Sequence, residues 1–184
     1  MEQDRIKWNE KFQNDDYPEE PAGPVKRFYH LAPGKKALDI AAGKGRNAVF
    51  LSHKGFSVDA VDISDVGLAH FAGKYPTITP VCADLDQFVI TPDRYDLILN
   101  IKFLNRRLFP YIREGLKPGG ILIFHTLLTS DGTETSRKHH RDYLLRKNEL
   151  LHAFLGMRII YYKEGGGTGS HHSDETATLV GVKE

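Results

Sequence analysis

The sequence is short of several things. Cys82 is the only cysteine among 184 residues, which excludes an internal disulfide and an all-cysteine metal site. No stretch comes near the about 18–20 consecutive apolar residues that span a bilayer. The opening MEQDRIKWNEKFQNDD is polar and lacks the apolar core of a signal peptide. An excess of either charge is missing too: 25 Lys and Arg face 24 Asp and Glu, so nothing drives general binding to nucleic acid. These absences predict a cytoplasmic chain with no membrane segment and with nucleic acid disfavoured as a partner. No repeat is present. Nor is a histidine pair at ligand spacing beside an acid: His139–His140 and His171–His172 are adjacent, and adjacent side chains point apart, so no metal site is expected. What remains, at 40% apolar residues, is enough for one domain with a real core.

The patterns along the chain alternate. Residues 1–21 read as an N-terminal arm: IKWNEKF brings Ile6, Trp8 and Phe12 together on a helical turn or two, and NDDYPEEPAGP then breaks the helix. Residues 22–184 read as the domain proper. VKRFYHL is a short helix, followed by strand KALDIA (36–41), helix GRNAVFLSHKG and strand SVDAVDI (57–63). DVGLAHFAGKY is a helix, TPVCADL (79–85) and RYDLILNI (94–101) are strands, and NRRLFPYIREGL is a helix. KPGG is a turn before strand ILIFHTLL (121–128), and LLRKNELLHAFL is a helix with Asn148 placed to cap it. MRIIYYKEG and TATLVGVK are strands joined by GGGTGSHHSDE, most simply an antiparallel hairpin. Strands alternating with helices, each strand nearly all apolar, predict an α/β, Rossmann-like three-layer sandwich. Its sheet has seven strands, mostly parallel, with an antiparallel C-terminal pair.

The chemistry centres on DIAAGKGRNA (39–48). Gly43 and Gly45 stand between a strand and a helix, where positive φ and close ligand approach are allowed and the helix start presents unpaired N–H groups. The spacing Gly43-x-Gly45-x-x-Ala48 satisfies the loose dinucleotide fingerprint, and Asp62 follows about 20 residues on, where an acid accepts ribose hydroxyls. Three features separate a dinucleotide from S-adenosylmethionine. Asp39 sets a negative charge in the turn region, wrong for a pyrophosphate and right for an amino group. Asp84 ends the third strand where an acid meets an adenine amino group, with the Leu85 backbone beside it. No second mononucleotide half follows. The three favour S-adenosylmethionine as cofactor over a nicotinamide.

ALDIAAGKGRNAVFL, VDAVDIS, ADLDQF, YDLILNIKFLNRRLFPYIREGLKPGGILIF and LLRKNELLHAF together resemble the class I S-adenosylmethionine-dependent methyltransferases. Within that class they are most similar to the small bacterial subset related to the tellurite-resistance methyltransferase. The resemblance implies that Asp39 and the backbone from Ala41 to Gly45 hold the methionine end, that Asp62 with Ile63 holds the ribose, and that Asp84 and Leu85 hold the adenine. It places Asn100 and Ile101 along the methionine side. Arg46 and Asn47 match the subset's GRN, with Arg46 facing the cofactor carboxylate or the N-terminal arm and Asn47 capping the helix.

Methyl transfer from a sulfonium needs chiefly alignment and exclusion of water. His125, ending the fifth strand, is the one base candidate. Trp8 and Tyr17 on the arm, with Phe103, Arg106, His140 and Arg146, are expected to frame the acceptor, and SRKHHR adds an anion-attracting rim. The expected partner is a small-molecule methyl acceptor, and the chain is a monomer or a homodimer. Three rivals remain: a nicotinamide dehydrogenase, an RNA or protein methyltransferase, and a non-catalytic cofactor binder. Against base methylation, the fourth strand ends NIKF rather than in an NPPY-like tetrad.

Overall fold

The computed structural model describes residues 2–14, 17–129, 143–165 and 175–184. Helix α1 is Glu2–Asn14 and α2 is Gly23–Phe28, continued by a 3-10 turn, Tyr29–Leu31. Then come β1 (Lys36–Ile40), α3 (Arg46–His53), β2 (Ser57–Asp62), α4 (Asp65–Ala69), β3 (Ile78–Cys82) and β4 (Tyr95–Ile101). The remainder is α5 (Leu108–Gly115), β5 (Leu116–Leu127), α6 (Glu149–Ala153), β6 (Met157–Gly165) and β7 (Thr176–Lys183).

One sheet of seven strands runs β3-β2-β1-β4-β5-β7-β6. The first five strands pair in parallel, while β7 enters antiparallel between β5 and β6. Strand periodicity sorts the apolar residues into two layers. Leu38, Ile98, Leu122 and Leu179 face α5 and α6, with Leu108, Ile112, Leu150 and Phe154. Ala37, Leu97, Leu99, Ile123 and Val180 face α2 and α3, with Val25, Phe28 and Leu51. Burying each large aliphatic or aromatic side chain here contributes ~1.5–3 kcal/mol. Pro110 falls in the first turn of α5, where its missing N–H costs no hydrogen bond.

Three elements depart from the sequence pattern. The segment read as a helix over DVGLAHFAGKY is regular only over Asp65–Ala69 and ends in turns, one of them at Gly73 with φ +73°. LLRKNELLHAFL is helical only over Glu149–Ala153, because Leu145 bridges to Leu128 and Asn148 takes φ +62°. Asn148 stands at the cap position but makes no side-chain capping bond. KPGG does not precede β5 but lies within it, as a break in register against β4.

At the amino-terminal edge of the parallel strands the charges pair off. Asp59 accepts from Lys36 Nζ at 2.5 Å, Tyr95 Oη at 3.0 Å and Arg94 Nη2 at 3.2 Å, and Asp96 accepts from the Lys36 N–H and Lys117 Nζ. The opposite, carboxyl-terminal edge holds the unspent polar groups, as parallel sheets commonly arrange them.

Candidate active site

The loop from β1 to α3 turns through three left-handed residues, Ala41 (φ +56°), Gly43 (φ +56°) and Gly45 (φ +80°). Gly45 has a further reason to lack a side chain, since a Cβ there would lie 2.2 Å from Phe71 Cδ1. The loop is pinned from the next strand: Ala42 N–H donates to Val61 O at 3.0 Å, and Gly43 N–H donates to Asp62 Oδ2 at 2.8 Å. The other Asp62 oxygen accepts from Ser64 N–H at 2.9 Å. Burial raises the Asp62 pKa, opposed by the amides of Ser64, Gly43 and Ile63. Each carboxylate oxygen carries two lone pairs, so both can still accept from a ligand.

Asp39 lies inside β1 rather than in the turn, 1% exposed, and neither carboxylate oxygen has a hydrogen-bond partner. The Ala48 N–H lies toward it, short of hydrogen-bond geometry. Burial, aided by the Asp62 charge and opposed by Arg46, pushes the Asp39 pKa up to about 7. An orphaned buried carboxylate costs free energy unless a cation or donor meets it, and this one stands two residues before the left-handed Ala41, off the wall of the cleft described below.

The arm closes one side of the site. Phe12 is buried with its Cζ 3.0 Å from where a Cβ on Gly43 would lie, and it stacks on Trp8 and meets Tyr17 edge-on. Ile6 points away and is half exposed. Asn9 latches α1 down, donating to Asp65 Oδ1 at 2.8 Å and accepting from Ser64 Oγ at 2.6 Å. Arg46 donates to Glu20 O at 3.3 Å, and Asn47 Oδ1 accepts from Ala22 N–H at 3.0 Å. Asn47 therefore ties down the arm's exit; Gly45 occupies the cap position of α3.

These elements enclose a cleft of about 730 Å³, counted to its open mouth. Of the residues singled out in the sequence, its wall contains Trp8, Tyr17, Ala41, Gly43, Arg46, Asp62, Ile63, Leu85, Ile101 and Phe103. Lys44 lines it too, within the loop expected at the methionine end, and Asn47, expected only as a helix cap, joins with Phe12 and Lys102, which were not expected there. Phe12 had a legible signal, its spacing from Trp8; Lys102 had none, because its place follows from a left-handed φ of +56°.

Other expected residues stand off the wall. Asn100 is buried and donates to Phe103 O at 2.7 Å, stapling the turn after β4. Asp84 accepts from Asp86 N–H at 2.9 Å, and the Leu85 carbonyl accepts from Arg107 at 2.6 Å. Arg106 forms an ion pair with Glu149, at 2.5 Å from Nε, and donates to Leu144 O. The Arg146 N–H donates to the same Glu149. His125 Nδ1 bonds Thr178 Oγ1 at 2.8 Å, and burial together with the charges of Lys102 and Arg46 pulls its pKa down to about 4. His140 and the SRKHHR rim lie outside the described residues. Among the described residues no group of His, Cys, Asp or Glu could hold a metal ion, and no helix is long and apolar enough to cross a membrane.

Known proteins match this geometry. A family profile described as a methyltransferase domain matches residues 37–120. The probable S-adenosyl-L-methionine-dependent methyltransferase TehB of Haemophilus influenzae is 24% identical over 159 residues, covering 80% of this chain and 54% of TehB. The chain thus spans about half the length of that curated relative. The TehB crystal structure superposes with a TM-score of 0.75 at 19% identity, over 98% of this chain and 67% of that one. A putative S-adenosylmethionine-dependent methyltransferase from Listeria monocytogenes superposes with a TM-score of 0.71 at 14% identity, over 88% of this chain and 98% of that one. Fold, profile and relative point the same way: residues 37–120 match a methyltransferase domain, and the chain is similar in sequence and fold to S-adenosylmethionine-dependent methyltransferases, TehB among them.

Proposed function

We propose that the protein transfers the methyl group of S-adenosylmethionine to a nucleophilic atom of a small molecule. The observation that carries this reading is the unpartnered Asp39 carboxylate in β1, two residues before the left-handed Ala41, with Asp62 in the cleft wall. Asp39 answers a ligand ammonium and Asp62 a pair of ribose hydroxyls. The backbone from Ala41 to Gly45 lies along the methionine end, and Arg46 is placed for a carboxylate. Asp84 and the Leu85 N–H serve the adenine, Ile101 gives an apolar wall, and Asn100 acts by holding the turn that carries Phe103.

The bound cofactor supplies an electrophilic methyl carbon on a sulfonium. The chain's own part is alignment and exclusion of water, through Trp8, Phe12, Tyr17 and Phe103 around the cleft. His125 is a poor base in this arrangement, neutral but weakly basic and bonded to Thr178. Residues 1–21 act as a lid latched through Asn9. A small acceptor suits a cleft that one compact domain and its arm enclose.

Calorimetric titration with S-adenosylhomocysteine, with NADH run beside it, tests the reading. Binding of the former alone is expected, and Asp62→Ala should weaken it by about 1–3 kcal/mol as charged hydrogen bonds are lost. Binding of neither ligand, or of NADH alone, refutes the reading. Full affinity in Asp62→Ala removes the ribose assignment.

A further inference from the structure

We propose that Arg107 is a positioning residue for the adenine of the cofactor, holding the turn 84–88 in the conformation whose backbone reads that base; the proposal rests on the methyl-transfer reading above. Residues 84–88 belong to no strand or helix. They make a turn between β3 and β4, closed by the Gln87 and Phe88 N–H groups, which donate to Asp84 O at 3.0 and 2.9 Å. Burial of Leu85 and Ile90 anchors the segment to the core. Apolar packing is non-directional, however, and does not by itself aim a peptide plane.

Arg107 supplies the direction. It leaves the chain just before α5 and stands off the cleft wall, so it acts through the turn and not on a ligand. Its Nη2 donates to Leu85 O at 2.6 Å and to Phe88 O at 3.2 Å, gripping the turn at two carbonyls. The guanidinium also lies over the ring of Tyr111, 5.4 Å from its centroid, which orients the long side chain toward those carbonyls. Asn105 adds a second tie. Its Nδ2 donates to Asp86 Oδ1 at 2.8 Å, while its Oδ1 accepts from the Arg107 N–H at 3.1 Å.

The consequence falls on Leu85, which is part of the cleft wall. The peptide on its carboxyl side is held at both ends, the carbonyl by Arg107 and the Asp86 N–H by Asp84 Oδ1 at 2.9 Å. The peptide on its amino side is held through the Asp84 carbonyl. Between these fixed planes the Leu85 N–H has no partner among the described residues. A carboxylate beside such an N–H matches a base edge that sets an amino donor next to a ring-nitrogen acceptor, as adenine does. Hypoxanthine inverts both: a carbonyl replaces the amino group, and the ring nitrogen carries a proton. Telling the two bases apart therefore depends on how rigidly the turn is held, and that is the part Arg107 plays.

Calorimetry with S-adenosylhomocysteine and S-inosylhomocysteine, which differ only at that base edge, tests the assignment. The wild type should bind the adenosyl compound about 30-fold more tightly. In Arg107→Met the ratio should fall to about threefold, with the affinity for S-inosylhomocysteine changed by less than about twofold. Arg107→Lys, which keeps the charge and reaches one carbonyl, should recover an intermediate ratio, and Asn105→Ala should lower the wild-type ratio about threefold. A merely structural role would weaken both ligands by one factor, so equal losses or an unchanged ratio in Arg107→Met overturn the proposal. If Arg107→Met does not fold, unchanged ratios in Arg107→Lys and Asn105→Ala overturn it instead. Equal binding of the two compounds by the wild type removes the base reading of the turn and the proposal with it. Failure of the wild type to bind either one refutes the methyl-transfer reading beneath both.

Discussion

Replacing Asp39 with asparagine should make the free protein more stable and its cofactor site useless. The folded state raises this carboxyl from 3.8 to about 7, which corresponds to ~4 kcal/mol of destabilisation once it is ionised. A raised folded pKa means that this group's contribution is most favourable below 3.8 and is lost as pH rises through about 7. His125 runs the other way. Its pKa falls from 6.5 to about 4, so stability is fully present above 6.5 and ~3 kcal/mol of it is lost as pH falls through about 4. Between those values the two slopes nearly cancel in the wild type. Asp39→Asn removes one of them, although its buried amide still costs ~1–3 kcal/mol if unpaired. Urea unfolding at pH 8 should therefore show a gain of ~1–3 kcal/mol that shrinks or reverses at pH 5. The variant should also rise in stability across pH 5 to 6.5, where the wild type is flat. Calorimetry should find S-adenosylhomocysteine binding weakened more than tenfold, about 1.4 kcal/mol or more. A variant no more stable than wild type at pH 8, or equally shifted at both pH values, would refute the claim that Asp39 is a buried orphan waiting for a cation.

Two further substitutions probe the scaffold of the site. Gly45→Ala forces a Cβ into a left-handed position 2.2 Å from Phe71 and should cost about 2–4 kcal/mol in urea unfolding. Gly55→Ala, at φ +81° with nothing within 4 Å, should cost only about 1 kcal/mol; equal losses would show that the Phe71 contact is unimportant. Asn9→Ala removes the two bonds to Ser64 and Asp65, worth together about 1–3 kcal/mol. It should speed proteolysis within α1 while the midpoint of global unfolding stays nearly unchanged. Unaltered cleavage would mean that Phe12 burial alone seats the arm.

Much of this arrangement is legible in the chain itself. Strands that are apolar on both faces, such as YDLILNI with its central Leu97, Ile98 and Leu99, are buried on both sides, so a parallel sheet between helices follows. Gly43, Gly45 and Asp62 are recognisable because a tight turn and a strand-end acid leave few alternatives for residue type and spacing. The antiparallel ending is equally readable, since a short glycine-rich link cannot cross a sheet to make a parallel pair. Periodicity fails where a tertiary contact outbids the local pattern. Leu145 leaves its expected helix to bridge Leu128, and Lys117–Gly120 is absorbed into β5 because β4 pairs with it on both sides.

Composition, spacing and period thus determined the layers of this protein and the position of its glycine loop. Only the tertiary structure decided what each polar side chain faces. Asp39 lost every partner by being drawn into the strand, Arg106 was spent on Glu149, and His125 was silenced by burial and two nearby cations. Lys102 was turned into the cleft by a backbone angle that no neighbouring residue in the sequence announces. Burial and pairing are sums over residues distant in the chain, so charge, basicity and reach at the site are properties of the fold rather than of any stretch of sequence.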